Sequence, residues 1–269
     1  MRICCIDTET TGLEPETNYV VDFCIRTLYD QPDTMPNDSM VWRVRPPISM
    51  PEIAGKTHGI TDDMLRDHPA LDATLARVWA EWIERYDAIV GYNPDYDIAM
   101  LQTEFKRHGV ECKWPKIVVC CKRMWDAAEP PPSRALQFAY KKFVDEAGFE
   151  GAHGAAADVD ATIRVFNAAR AHYGLQEKTL SELDPKRALW CGPTDHLLWA
   201  DSTKTALICN FGKDHRGKNL GDVDFGMLKW IMGKDFPEHV KRTVKYLMSI
   251  SQLSNKNELV ATYARERDT

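Results

Sequence analysis

No apolar run in this 269-residue chain approaches the ~18 residues that a membrane span requires, and no charged-then-apolar leader opens it. The expectation is therefore no membrane partner and, by default, a cytoplasmic location. Zinc-type and redox-type C-x-x-C spacing is also missing, although there are eight cysteines, at 4, 5, 24, 112, 120, 121, 191 and 209. Most of them lie in apolar runs, as buried reduced thiols do. Internal repeats and low-complexity tracts are absent. Net positive charge is lacking too: at −6 the chain carries no uniformly basic coat for nucleic acid. The charge is uneven, however. Between Asp201 and Ile250 nine Lys and Arg face six Asp and Glu, a balance of +3 that leaves the rest at −9. An acidic catalytic part with a mildly basic appendage suits a metal enzyme that acts on a polyanion.

What is present is a soluble composition, 44% hydrophobic and 28% charged, with enough apolar material for a core and more length than one ordinary domain needs. Ile3–Ile6, Tyr19–Ile25 and Met40–Val44 read as strands joined by short loops, one of them the turn-rich stretch from Tyr29 to Ser39, which favours an antiparallel meander. Leu71, Leu75, Val78, Trp79, Trp82 and Ile83 recur at helical spacing, so Leu71–Tyr86 is a predicted amphipathic helix. Ala88–Gly91 and Ile117–Cys120 read as short buried strands. Helices are expected over Asp95–His108, through Leu136, Tyr140 and Phe143 after the Pro130-Pro131-Pro132 loop, and over Ala155–His172. Three meander strands followed by alternating helices and strands give an α/β fold with a mixed sheet flanked by helices. That domain is assigned to residues 1–173. Pro185 and Gly192-Pro193 interrupt the periodicity of a linker at 174–202. A small α+β basic module at 203–250 follows, with a strand or hairpin on a glycine turn and two helices, and then a tail at 251–269.

The first strand ends abruptly in Asp7-Thr8-Glu9-Thr10-Thr11-Gly12. Alternate residues of a strand share a face, so Asp7 and Glu9 point the same way from an apolar base, and two like charges side by side call for a cation. The Thr-Thr-Gly that follows offers hydroxyls, N–H groups and a flexible residue for a turn around phosphate. Taken alone, D-x-E is also what a solvated strand end looks like. Downstream, Asn93-Pro94-Asp95-Tyr96-Asp97 places acids at the start of a helix, where Asp97 also reads as an acid of the N-cap region. His153-Gly154-Ala155-Ala156-Ala157-Asp158 places a histidine in a loop before a helix that carries an acid. Asp95 and Asp160 compete with Asp97 and Asp158 as ligands on the residues alone.

The ordered set resembles the DEDDh branch of the DnaQ-like 3′→5′ exonucleases, which share an RNase H-like fold. Asp7 to Gly12 matches the family's first motif. Asn93 to Asp97 matches N-x-x-[FY]-D, with Tyr92 where a histidine is common. His153 to Asp158 matches H-x-x-x-x-D and selects Asp158 over Asp160. Thr57-His58-Gly59-Ile60-Thr61 resembles the segment that lies beside the terminal nucleotide in such enzymes. The Phe211-Gly212-Lys213, Gly217-Lys218 and Leu228-x-Trp230 pattern resembles the small module that follows some exonuclease X-like domains.

The resemblance implies two divalent cations, Mg²⁺ or Mn²⁺, held by Asp7, Glu9, Asp97 and Asp158, with Asp7 shared between them and His153 as general base. It also implies a terminal nucleotide held by Thr10, Thr11, Gly12, Asn93, His58 and Ile60. Lys213, Arg216 and Lys218 on the glycine turn suit contacts to DNA phosphates. The implied partner is nucleic acid, single-stranded DNA or duplex 3′ ends. A 3′→5′ exoribonuclease and a non-catalytic nucleic-acid binding protein with a relic site are the alternatives. Nothing in the residues speaks to oligomeric state.

Overall fold

A computed structural model of the chain describes residues 1–28, 38–128, 133, 135–184, 189–191, 196–201, 203–212 and 214–267. Most of the turn-rich segment after Tyr29, the Pro130-Pro131-Pro132 loop, Pro185, Gly192-Pro193 and Lys213 lie outside the described residues. The chain divides into two compact units, Met1–Asp184 and Pro185–Thr269.

In the first unit, β1 (Ile3–Thr10) pairs antiparallel with β2 (Val20–Thr27), and β2 with β3 (Ser39–Arg43). On its other edge β1 runs parallel to β4 (Ala88–Gly91), which runs parallel to β5 (Ile117–Cys120). The mixed five-stranded order is therefore β3-β2-β1-β4-β5. β1 sits in the middle because its Ile-Cys-Cys-Ile stretch is apolar on both faces, as a strand covered on both sides must be.

Helices α1 (Glu52–His58), α2 (Asp62–Leu65) and α3 (Ala73–Ile83) precede β4, α4 (Pro94–Arg107) separates β4 from β5, and α5 (Cys121–Ala128), α6 (Leu136–Phe143), α7 (Ala155–His172) and α8 (Leu180–Leu183) follow. The period of two along β1 sorts the layers. Cys4 and Ile6 pack with Trp79, Ala80 and Ile83 of α3 and Met100 and Leu101 of α4, whereas Cys5 packs with Cys24, Ala155 and Val159 on the side of α7. Burying each large apolar side chain here contributes about 1.5–3 kcal/mol.

The linker expected at 174–202 divides between the units. Leu180 and Leu183 of α8 pack with Val119 and Phe166, and Asp184 accepts from the Cys120 N–H at 3.1 Å. In the second unit, β6 (Leu197–Trp199) pairs antiparallel with β7 (Leu207–Cys209), and a 3-10 turn (Leu220–Asp222) leads to α9 (Phe225–Met232), α10 (Glu238–Ile250) and α11 (Lys256–Arg267). Trp199, Leu207, Leu228, Ile231, Val244 and Leu247 form its core. The expected module thus begins earlier, since β6 is the partner that β7 needs. It also ends later, because α11 buries Val260, Ala261 and Ala264 against that core and stacks Tyr263 on Tyr246 at 4.2 Å. Three residues are too short a run to show period-two alternation, and α11 has only a weak apolar stripe, which is why neither was visible in the sequence. Among the described residues no helix is long and apolar enough to cross a membrane.

Candidate active site

The site lies at the carboxyl end of β1. Asp7 and Glu9 share the face of Cys5, so both turn toward α7, whose fourth residue is Asp158. One carboxylate oxygen from each of Asp7, Glu9 and Asp158 lies within 4.8 Å of the others, an arrangement able to hold a cation. From the opposite layer α4 brings Asp97, whose Oδ1 accepts from the Thr8 backbone N–H at 2.9 Å and the Thr8 Oγ1 at 2.7 Å. The helix starts there because Pro94 occupies a first-turn position behind Asn93, a residue in the left-handed region at φ 79°.

The competing acids are taken up by arginines. Residues two apart on a helix point about 200° from each other. Asp160 accordingly faces away from Asp158 and pairs with Arg26 of β2. Asp95 faces away from Asp97 and pairs with Arg123 at 2.7 Å, and Arg123 also holds Asp184 at 2.7 Å. Among the described residues no Lys or Arg pairs with Asp7, Glu9, Asp97 or Asp158.

The electrostatics follow from that imbalance. Burial, then Asp97, Asp158 and Glu9, push the Asp7 carboxyl well above the ordinary carboxylate range. Burial, followed by the charges of Asp158, Asp22 and Asp97, pushes Glu9 up to about 8. Burial raises Asp97 to about 7 against the opposing Thr8 hydrogen bonds, and it raises Asp158 against the His153 N–H. Acids whose pKa values are raised by burial and by one another, for want of a counter-charge, form a donor set that fits a hard divalent cation, whose oxygen ligands are carboxylates.

The other expected residues are placed as follows. The His153 backbone N–H donates to Asp158 Oδ1 at 3.3 Å, and the residue is exposed, with φ +65° in the loop between Gly151 and Gly154. A non-glycine residue in that conformation carries backbone strain, which the Asp158 contact helps to hold. His58 Nδ1 accepts from the Ile60 N–H at 3.1 Å, which leaves Nε2–H to donate to Thr10 O at 3.2 Å. Burial lowers the His58 pKa, in keeping with that neutral tautomer. Asn93 makes no side-chain cap bond to its helix.

Two expectations change. The Ile60 side chain is 2% exposed and packs with Val21 and Leu65, so it is a core residue and offers no surface to a sugar or base. The Thr11 N–H donates to Tyr19 O at 2.9 Å, and Thr10 Oγ1 is tied to Gly12 O and the Tyr96 hydroxyl, so these threonines shape the turn more than they offer donors. A Cβ at Gly12 would lie 2.4 Å from Asn18 Oδ1, so a larger residue there would have to displace the Asn18 side chain.

The residue that sequence reasoning missed is Asp22. It stands opposite Glu9 in the β1–β2 ladder, is 3% exposed, takes Arg43 Nη2 on Oδ2 at 3.1 Å and, among the described residues, has no hydrogen-bond partner for Oδ1. Its signal was an acid inside the apolar Val20-Val21-Asp22-Phe23-Cys24-Ile25 run.

The sequence profile of an exonuclease family matches residues 4–166, more than half of the chain. The chain belongs to that family. It is a DnaQ-like exonuclease, and its first unit is the hydrolytic nuclease domain. An uncharacterized exonuclease, CP81, of Escherichia phage 186 is 29% identical over 177 residues, which are 61% of this chain and 85% of the phage protein. Two solved structures share the RNase H-like exonuclease fold of a mixed sheet flanked by helices. E. coli exonuclease I with single-stranded DNA is 20% identical with a TM-score of 0.54, over 67% of this chain and 42% of that one. Exonuclease X in complex with 5′ overhanging duplex DNA is 20% identical with a TM-score of 0.50, over 68% of this chain and 99% of that one. This DnaQ-like exonuclease thus spans less than half the length of exonuclease I.

Proposed function

We propose that the protein is a metal-dependent 3′→5′ exonuclease that acts on DNA ends and releases 5′-mononucleotides. The observation that carries this reading is the convergence of Asp7, Glu9 and Asp158 within 4.8 Å with no arginine or lysine among the described residues paired to them, while Asp95 and Asp160 are paired with arginines. A pair of divalent cations, Mg²⁺ or Mn²⁺, would supply positive charge to the attacking and leaving oxygens of the displacement and would ease deprotonation of water. Asp7, Glu9 and Asp158 would hold one of them, Asp7 would be shared with the second, and Asp97, locked by Thr8, would complete the set directly or through water.

His153 takes the proton of the attacking water at an imidazole nitrogen. Imidazoles as a class suit that role near neutrality, and the exposed loop position beside Asp158 leaves the ring open to solvent. The terminal nucleotide would sit against the Thr10-Thr11-Gly12 turn, Asn93 and His58. Lys213, Arg216 and Lys218 would contact phosphates, and the last two are exposed. DNA is favoured over RNA as substrate because exonuclease I and exonuclease X carry DNA in their solved complexes.

The test offers end-labelled single-stranded DNA, duplex DNA and RNA with Mg²⁺, Mn²⁺ or chelator, with either end blocked. Metal-dependent release of 5′-mononucleotides from a substrate blocked at its 5′ end is expected. Progress from a blocked 3′ end overturns the polarity, and preference for RNA overturns the substrate. Binding without turnover in either metal would leave a relic site.

A further inference from the structure

We propose that the second unit carries a base-stacking platform for single-stranded nucleic acid, built on Trp230 and Phe236, which works beside the basic glycine turn. This rests on the nuclease reading only for its choice of polyanion. The inner face of α9 buries Met227, Leu228 and Ile231, while Trp230, on the outer face, is 46% exposed. It does not stand alone. Its ring meets Phe236 edge-on at 5.6 Å, Phe236 meets Phe211 at 4.7 Å, and His196 closes the cluster at 5.8 Å from Phe236 and 6.2 Å from Phe211. Phe211 and Phe236 lean on the buried core of the unit and are half-buried themselves, so the rings are backed by the core and still keep surface in solvent. Four contiguous rings that keep surface in water are an unusual use of apolar area unless something flat covers them.

The occupant is indicated by charge. The turn that presents Arg216 and Lys218 begins at Gly212, directly after Phe211, and a Cβ on Gly212 would touch Met227 of α9. Lys234 follows the end of α9, two residues before Phe236. The whole unit holds fourteen Lys and Arg against ten Asp and Glu, a balance of +4, and the nuclease unit is then −10. Rings for bases and cations for phosphates on adjoining turns are the two halves of a single-strand site. A duplex keeps its bases stacked on each other and has none to offer the indole.

The experiment separates bases from phosphates. The full chain, in chelator so that nothing is cleaved, is titrated into labelled oligothymidylate and into an abasic oligomer of equal length, and binding is read by fluorescence anisotropy. Trp230→Ala is expected to weaken binding to oligothymidylate by roughly 5- to 150-fold, the loss for one stacked base. Binding to the abasic strand is expected to change less than about twofold, since its phosphates keep every cation. Trp230→Phe should stay near wild type. Trp230→Leu, which keeps apolar bulk without a stacking ring, should behave as Ala and serves if the Ala variant melts early. Arg216→Ala should weaken both strands alike.

Equal losses on both strands, or none on either, overturn the platform. So does concentration-dependent self-association that Trp230→Ala abolishes while DNA binding persists, because the rings would then cover a second copy of the chain. Hydrolysis of thymidine 5′-p-nitrophenyl phosphate in Mg²⁺ or Mn²⁺ is measured alongside. It should be equal in wild type and Trp230→Ala, and its absence from both would sink the nuclease reading without touching the stacking result.

Discussion

Raising the pH should tighten metal binding, because the cluster has to give up protons to receive a cation. Glu9, held up to about 8 by burial and by Asp158, Asp22 and Asp97, is about 90% protonated at pH 7 and about 10% at pH 9, so its proton alone makes the association constant for Mg²⁺ rise about tenfold between those values. Asp97, at about 7, adds roughly a factor of two, and Asp7 is raised in the same direction. At pH 7 the release of roughly one proton or more per binding event is expected. The stability sign is opposite for the metal-free protein. A carboxyl whose folded pKa lies above its unfolded value contributes stability below the unfolded value and loses it as pH rises through the folded one, so the metal-free nuclease unit should weaken between about pH 5 and 9. Titration calorimetry in buffers of differing ionisation heat reads both the proton count and the affinity. An affinity that is flat from pH 7 to 9, with no proton released, would refute the account of the cluster as a set of neutralised acids.

Asp7→Asn should abolish metal-dependent cleavage and remove the rise in Tm that saturating Mg²⁺ produces in wild type, since it deletes a ligand from the set within 4.8 Å; equal turnover by both proteins would sink the assignment. His153→Ala should cut turnover by roughly 10² to 10⁴ with a smaller effect on substrate binding, and an unchanged rate would assign the base elsewhere. Asp22→Asn removes a charge that raises Glu9, so the midpoint of pH-dependent metal uptake should move to lower pH; calorimetry showing an unmoved midpoint counts against that coupling. Ile60→Ala should cost about 2–5 kcal/mol in denaturant unfolding, as a buried side chain does, and a loss below about 1 kcal/mol would restore Ile60 as a substrate-facing residue.

Periodicity carried much of the fold. The meander, the short buried strands Ala88–Gly91 and Ile117–Cys120, and the helix Ala155–His172 were readable because alternation and helical spacing are local consequences of which face is wet. The identity of the family was also legible in the sequence, since its motifs fall in order along residues 4–166. Which acids stay free was legible only through those motifs, not from the residues themselves. Asp95 and Asp97 are equivalent in composition, as are Asp158 and Asp160, and only tertiary placement of Arg123 and Arg26 takes one of each pair out of the site. Ile60 was placed beside the nucleotide by the family resemblance alone, and it is buried because Val21 arrives from a distant strand and Leu65 from the helix just after it. Asp22 was hidden for the same reason: its partner Glu9 is thirteen residues away, and the antiparallel register between β1 and β2 decides that they meet. Local chemistry sets which residues are able to bind a cation, and long-range contacts set which of them have no other counter-charge.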